Sequence, residues 1–427
     1  MPDGSATAHL YRPKLATVVS EGYGLDALRR DSLAALTVAI VALPLSMAIA
    51  VASGVSPDRG LYAAIVGGFL VSALGGSRYQ VGGPAGAFIV LVAATVTRFG
   101  VEGLLLTVLL SGLMLTVLGL SRLGSLIRFI PDPVTVGFTS GIAVIIFASQ
   151  LKDLGGLTLP GAEPGPLLPK LVALGQALPT LSLPAFAIGA GTAALIFVLR
   201  RLRPTWPGML IAVLAASFAA WAFRLPVETI GSHFGGIPRG LPAPQLPPMA
   251  WQLVLDVLPA ALSFTLLGGV ESLLSAKVAD GMTGRKHRYN MELVAQGIAN
   301  VASALFGGIS VTGTIARTAT NIRAGARSPL AGMMHAAFLL LFMLVAAPLA
   351  SFIPLAALAG VLVAVAWNMT EKDEFLALLR DWRKAAVLLA TFGLTLVYDL
   401  TAGIVTGCAL AAVFALWERF NPTKPEA

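Results

Sequence analysis

The sequence predicts an all-α polytopic membrane protein of fourteen segments, built as two seven-segment halves of opposite orientation. Three observations lead there. The 427 residues are 56% hydrophobic and only 12% charged, with mean hydropathy +0.84, whereas a soluble globular chain carries about 25% charged residues. Two apolar segments in corresponding places are interrupted, at residues 78–92 (RYQVGGPAGAFIVLV) and 306–332 (FGGISVTGTIARTATNIRAGARSPLAG). Finally, the basic residues sit in short loops. With both termini inside, 22 of the 29 Lys and Arg fall on the cytoplasmic side and 6 outside, leaving Arg317 in the membrane. That is the positive-inside bias that orients membrane proteins.

The same bias accounts for the net charge of +8 without a nucleic-acid face. Cys408 is the single cysteine, so no disulfide forms within the chain, and its apolar surroundings make it an inert packed thiol. Neither HExxH nor a nucleophile–base pair is present among the four scattered His, which speaks against a membrane-embedded enzyme.

Taken in order, residues 1–30 read as a cytoplasmic lead with a short amphipathic helix near 25–30 and no signal peptide. Segments 1 and 2 span 33–53, with Pro44 inside, and 60–74. Segment 3 is a strand at 79–81 followed by a helix at 84–97 that opens on Pro84, a residue suited to a first helical turn. Segments 4 and 5 cover 103–120 and the stretch from Ile130-Pro131 to 150, and a Gly/Pro-rich connection (155–179) leads to segments 6 (183–198) and 7 (208–223). A Pro-rich outer loop, 226–248, divides the halves. Segments 8, 9 and 11 are 253–278, 293–305 and 330–350; segment 10 is a strand at 309–312, a break at Gly313 and a helix carrying Arg317. Segment 12 follows Ile353-Pro354 to 368, an interfacial helix spans 372–384, and segments 13 and 14 are 386–397 and 401–417. The domain plan is therefore 1–30 lead, 31–224 first repeat, 225–250 external linker, 251–418 second repeat and 419–427 cytoplasmic tail. An odd number of segments per half requires the second half to run inverted, and paired interrupted helices point to a transporter's binding site.

These broken stretches, together with GVESLLSAKVADGMTGRKHRYNMELVAQGIANVASALFGG (269–308), ALPLSMAIAVASGVSPDRGLYAA (42–64) and the tail 392–407, resemble the sulfate permease (SulP) family of anion transporters. The resemblance runs from segment 1 to segment 14. It implies two intertwined inverted repeats of the uracil-permease-like kind, with segments 1–4 and 8–11 as a mobile core domain and 5–7 with 12–14 as a gate domain. It further implies a multi-pass protein of a bacterial inner membrane that moves a small inorganic or organic anion, as a homodimer where gate-domain or STAS contacts allow. Members often carry Pro-Gln and an aromatic in segment 1, where this chain reads Pro44-Leu45 and Ile49, and most end in a STAS domain, whereas this sequence stops about ten residues past segment 14.

Half-helix starts aim free N–H groups and a positive dipole end at an anion. The predicted substrate-binding residues are accordingly Pro84, Ala85, Gly86 and Phe88 on half-helix 3, Thr314, Ala316 and Arg317 on half-helix 10, and Ser46 and Met47 beyond Pro44. A mid-membrane Arg costs about 2.5–3.5 kcal/mol on insertion scales, so it faces a cavity or a partner. Two readings of Arg317 stand: attraction for the substrate, or a buried salt bridge between helices. Glu271 and Ser275 are the coupling-ion candidates, for H+ or Na+, with no other cofactor expected; the family's sodium-coupled bicarbonate members carry Asp and Thr there. A purely structural Glu271 remains open. His335 is a weaker proton-relay candidate, Asp256 reads as a wetted helix end, and Asp399 as the cap of segment 14. A passive channel, a voltage-sensing motor and a nucleobase carrier are the alternatives on the same scaffold.

Overall fold

The computed structural model describes residues 11–124, 131–161, 163–164, 166–204, 206–398 and 400–420. A short helix α1 (Lys14–Glu21) precedes α2 (Leu25–Ala52), which runs on through Pro44. The amphipathic piece expected at 25–30 is therefore the first turn of α2, since nothing after Gly24 breaks the helix before the membrane. Next come α3 (Pro57–Tyr62) and α4 (Gly68–Leu74), joined by a π-helical turn at Ala63–Gly67. Strand β1 (Gly82–Gly83), a 3-10 turn (Gly86–Phe88) and α5 (Ile89–Leu120) follow. Within α5, Gly100 at φ 69° and ψ −175° breaks the helical path, so predicted segments 3 and 4 meet at a sharp kink rather than a loop.

The first half continues with α6 (Asp132–Gly155), α7 (Leu167–Ala177), α8 (Leu183–Leu202) and α9 (Gly208–Ala222). The Gly/Pro-rich connection, 155–179, thus holds a helix, α7. After the short α10 (Ile230–Phe234) come α11 (Trp251–Thr283), α12 (Tyr289–Leu305), β2 (Thr312–Gly313) and α13 (Ile315–Arg323). The chain closes with α14 (Leu330–Ala350), α15 (Leu355–Met369), α16 (Lys372–Leu378), α17 (Trp382–Val397) and α18 (Leu400–Phe420). The interfacial helix stops at Leu378, not 384, because the Asp381 carboxylate accepts from Arg383 N–H and caps α17. Ile130 and Asp399 lie outside the described residues.

Seven helices among the described residues are long and apolar enough to cross a membrane, and two shorter apolar ones accompany them. Packing mixes the two halves of the chain: α5 lies against α11 and α12, α2 against α14, and α6 against α15 and α17. The two strands pair antiparallel, Gly82 with Gly313 and Gly83 with Thr312. Both strands sit later than the sequence suggested, β1 on Gly82–Gly83 just past 79–81 and β2 at the end of 309–312, on Thr312–Gly313. The backbones approach closely there, and the contact continues into a bond from Thr314 N–H to Val81 O (3.2 Å).

Candidate functional site

The strand pair is the floor of the site, and its glycines are there for lack of a side chain. A Cβ on Gly83 would overlap the Arg317 guanidinium, and one on Gly313 would overlap the Gln80 amide. Beyond β1 the chain stays extended through Ala85 (φ −116°, ψ 145°), and the helix opens only at Gly86. Pro84 therefore precedes the half-helix rather than starting it, and offers its carbonyl to the site. Beyond β2, Thr314 (φ −101°, ψ 128°) leads directly into α13. The first N–H groups of both half-helices have no helical acceptor of their own.

One face of α13 holds the neighbouring segment in place. Residues 314, 317, 318 and 321 follow helical spacing, and each reaches the backbone around β1. Thr314 N–H donates to Val81 O (3.2 Å), Thr318 Oγ1 accepts from Val81 N–H (3.2 Å), and Asn321 Nδ2 donates to Tyr79 O (2.9 Å). Arg317, only 2% exposed, donates from Nη1 to Gly82 O (3.4 Å) and from Nη2 to Pro84 O (3.3 Å) and Ser46 Oγ (3.0 Å). Ser46 can accept because its own hydroxyl proton goes to Ala42 O (2.7 Å). All three partners of Arg317 are neutral and its Nε has none, so the guanidinium charge is solvated by the protein but not cancelled.

Helix α11 ties down β2 and α13. Ser272 Oγ lies 2.8 Å from Thr312 Oγ1, and Ser275 Oγ donates to Thr318 Oγ1 (3.2 Å). Glu271, one turn before Ser275, is half-buried and makes no hydrogen bond or ion pair among the described residues. The salt bridge between Glu271 and Arg317, considered from sequence, is not formed: the arginine is taken up by Ser46 and two carbonyls.

The other expected residues divide. Gly86 is half-buried and faces α6 and α15, where an added Cβ would meet Ile146 Cδ1 at 3.3 Å and Met369 Sδ at 3.5 Å. Ala316 is exposed at the start of α13, while Ala85 is buried. Met47 and Phe88 are 1% and 2% exposed. Phe88 stacks edge-on against Phe264 with ring centroids 5.4 Å apart, so both residues pack the core. Asp256 is exposed and accepts from Gln252 (3.2 Å). A cavity of about 330 Å³ is lined by Lys152, Asp153, Glu228 and His233 and by none of these residues.

Sequence reasoning missed the support behind the strands. Glu292, Gln296, Asn300 and Ser303 form a buried polar stripe along α12. Glu292 accepts from Gly76 and Ser77 N–H (2.9 and 3.0 Å), fixing the turn that leads into β1. Asn300 pairs with both backbone groups of Val311 (Nδ2 to O 2.7 Å, Val311 N to Oδ1 2.9 Å), and Ser303 donates to Ile309 O (2.7 Å). The signal was available: four polar residues at helical spacing inside an apolar helix.

An arginine held among neutral acceptors, where two interrupted segments pair, gives this helical membrane protein an uncancelled positive charge at its strand pair. Among the described residues no cluster of His, Cys, Asp and Glu is suited to a metal. The Sulfate permease family model matches residues 28–392. The putative sulfate transporter YvdB of Bacillus subtilis is 44% identical over 406 residues, covering 95% of this chain and 76% of that protein. The solved transmembrane domain of a cyanobacterium bicarbonate transporter, BicA, superposes with TM-score 0.80 at 30% identity, covering 90% of this chain and 98% of that one. Murine Slc26a9, an anion transporter solved in the inward-facing state, shares the fold with TM-score 0.87 at 18% identity, over 98% of this chain and 73% of that one. The chain belongs to the sulfate permease family. It is an integral multi-pass membrane protein and an anion transporter, not an enzyme.

Proposed function

We propose that this protein is a secondary active transporter of a small anion of the sulfate, bicarbonate or dicarboxylate class, working by alternating access with proton symport. The observation that carries the reading is the uncancelled charge of Arg317. A cation surrounded only by neutral groups in a low-dielectric interior is favourable chiefly when an anion visits it. Anionic charge arriving beside the strand pair also meets the open N–H groups of two half-helices. The substrate residues of this reading are those given above, with Arg317, Ser46, Pro84, Ala85, Gly86, Thr314 and Ala316 around the guest and Met47 and Phe88 packing behind it.

In this reading the helices make fourteen crossings: α2, the α3–α4 pair, β1 with the first part of α5, the rest of α5, α6, α8 and α9, then α11, α12, β2 with α13, α14, α15, α17 and α18. The second seven invert the first. Helices α2–α5 and α11–α14 form the moving core, and α6, α8, α9, α15, α17 and α18 the gate. Gly86 touches gate residues Ile146 and Met369, so the half-helix start lies where the two bodies slide. Both termini are cytoplasmic in a bacterial inner membrane, and gate-domain contacts form a homodimer.

Sodium coupling is the second reading, favoured by the hydroxyl pair Ser275–Thr318 one turn from Glu271 and by the likeness to a bicarbonate transporter. Uptake of labelled sulfate, bicarbonate and dicarboxylates into proteoliposomes, under separately imposed proton and sodium gradients, tests both. Accumulation driven by neither gradient for any of these anions rules out coupled uptake.

A further inference from the structure

Two buried side chains near the strand pair have polar atoms that are all unused. Gln80 is 3% exposed with neither Nε2 nor Oε1 bonded, and His335 is fully buried with neither ring nitrogen bonded. Gly82 and Gly313 are cross-strand partners and so present the same face. A Cβ on Gly82 would meet Val71 of α4, and one on Gly313 would meet the Gln80 amide. Gln80 thus lies on the α4 side, while Gly83, pointing the other way, abuts Arg317. Gly332 on α14 packs against Ser72, whose hydroxyl donates to Gln80 O (3.2 Å). His335 follows Gly332 by three residues, on the same side of α14.

Buried polar groups almost always have a protein or water partner. An amide and an imidazole each carry donor and acceptor capacity, which suits water, since a water needs two to four such partners. A cation is disfavoured, because neither side chain supplies a negative charge to offset its desolvation.

We propose that Gln80 and His335 enclose an ordered water between α4, α14 and the strand pair. This water fixes the Gln80 amide against Gly313 and thereby sets the height of the strands beneath Arg317. His335 and Gln80 are then positioning residues for the anion site, acting through the strand pair. The inference rests on the reading that an anion binds at that pair.

The test is equilibrium binding of labelled sulfate and, separately, bicarbonate to the purified full chain. Arg317→Ala is run alongside as the control for the underlying reading. His335→Leu and Gln80→Leu keep volume and remove hydrogen bonding. Each is expected to weaken binding about tenfold, the double variant to be no worse than either, and His335→Gln to restore binding to within about twofold. Density for a water bonded to both side chains is expected in an experimental map. Normal binding in monodisperse His335→Leu and Gln80→Leu, or losses that multiply in the double variant, overturns the proposal, as does a direct imidazole–amide hydrogen bond. If Arg317→Ala binds normally, it is the anion-site reading that has failed.

Discussion

The two interrupted segments occupy corresponding places in the two halves, yet they divide the work unequally. The first, through Gly82, Gly83 and Ala85, contributes backbone: its carbonyls at 79, 81, 82 and 84 are acceptors, and Gln80, the polar side chain next to the strand, has no protein partner. The second contributes side chains, with Thr314, Arg317, Thr318 and Asn321 projecting from one face of α13 onto that backbone. The glycines of the first are the counterpart of the arginine of the second. A charged side chain reaches across a strand only where the strand has nothing in its way. The like pattern of the two segments therefore coexists with asymmetry of charge.

The sharpest way to break this comparison is to remove the charge. Arg317→Ala should lower anion affinity about ten- to a hundredfold, the loss of a charge-assisted contact of roughly 1.5–3 kcal/mol. Arg317→Lys should recover little, because an ammonium cannot address Ser46, Gly82 O and Pro84 O from one planar fork. Binding of labelled anion to monodisperse protein reads both. Normal affinity in Arg317→Ala would leave the arginine only its strand-pinning role.

Next comes the glycine side. Gly83→Ala places a methyl in the guanidinium, and overpacking of this kind costs about 1–3 kcal/mol, so melting temperature and affinity should fall together. Gly86→Ala is the contrast. Its methyl would meet the ends of two flexible side chains, Ile146 and Met369, so anion binding should survive while transport slows. Equal effects of the two substitutions on binding would contradict the division of labour.

Much of this arrangement is legible in the sequence, for physical reasons. Gly82-Gly83-Pro84 and Thr312-Gly313 interrupt apolar helices where backbone irregularity is tolerated only around a site, and Arg317 stands out because the membrane makes it expensive. Less legible were the exact strands. The β-branched run at 309–312 carries strand propensity, yet pairing falls on Thr312–Gly313, where backbone approach overrides propensity. Met47, expected at the site after Pro44, and Phe88, expected one turn into half-helix 3, are both buried among apolar neighbours, a packing that position along the chain does not reveal. Glu292 and Asn300 went unremarked because a polar residue in an apolar helix reads as a tolerated exception until its partner, a backbone group far off in sequence, is seen.

Asn300 sharpens the comparison at a smaller scale. It pairs with both backbone groups of Val311, just before β2, while Glu292 on the same helix holds the turn before β1. Asn300→Leu leaves a buried N–H and C=O unpaired, at about 1–3 kcal/mol. A lower melting temperature is therefore expected, with a loss of affinity smaller than that of Arg317→Ala. An unchanged melting curve would show that α12 does not support the second strand.

The smallest expected effect on binding, and the most informative for coupling, belongs to Glu271. Its carboxyl is half-buried on α11 without a partner, one turn from Ser275, which is itself committed to Thr318. Since Arg317 is occupied by neutral acceptors, Glu271 does not compete with the guest for the guanidinium. The linkage runs through charge instead: an anion arriving near the strand pair disfavours a carboxylate close by and favours its neutral acid. Protonation and anion binding then assist one another, and reciprocity makes the assistance equal in both directions, as symport requires. In the parent, apparent affinity should accordingly improve as pH falls. Glu271→Gln imitates the neutral acid, so it should bind and exchange anion at every pH about as well as the parent does at low pH. It should also lose acceleration by an inward proton gradient. Sodium coupling predicts the opposite pattern, with sodium-driven accumulation lost and pH nearly without effect. Full proton-driven accumulation by the Gln variant would remove Glu271 from the coupling step and direct the same experiment to His335.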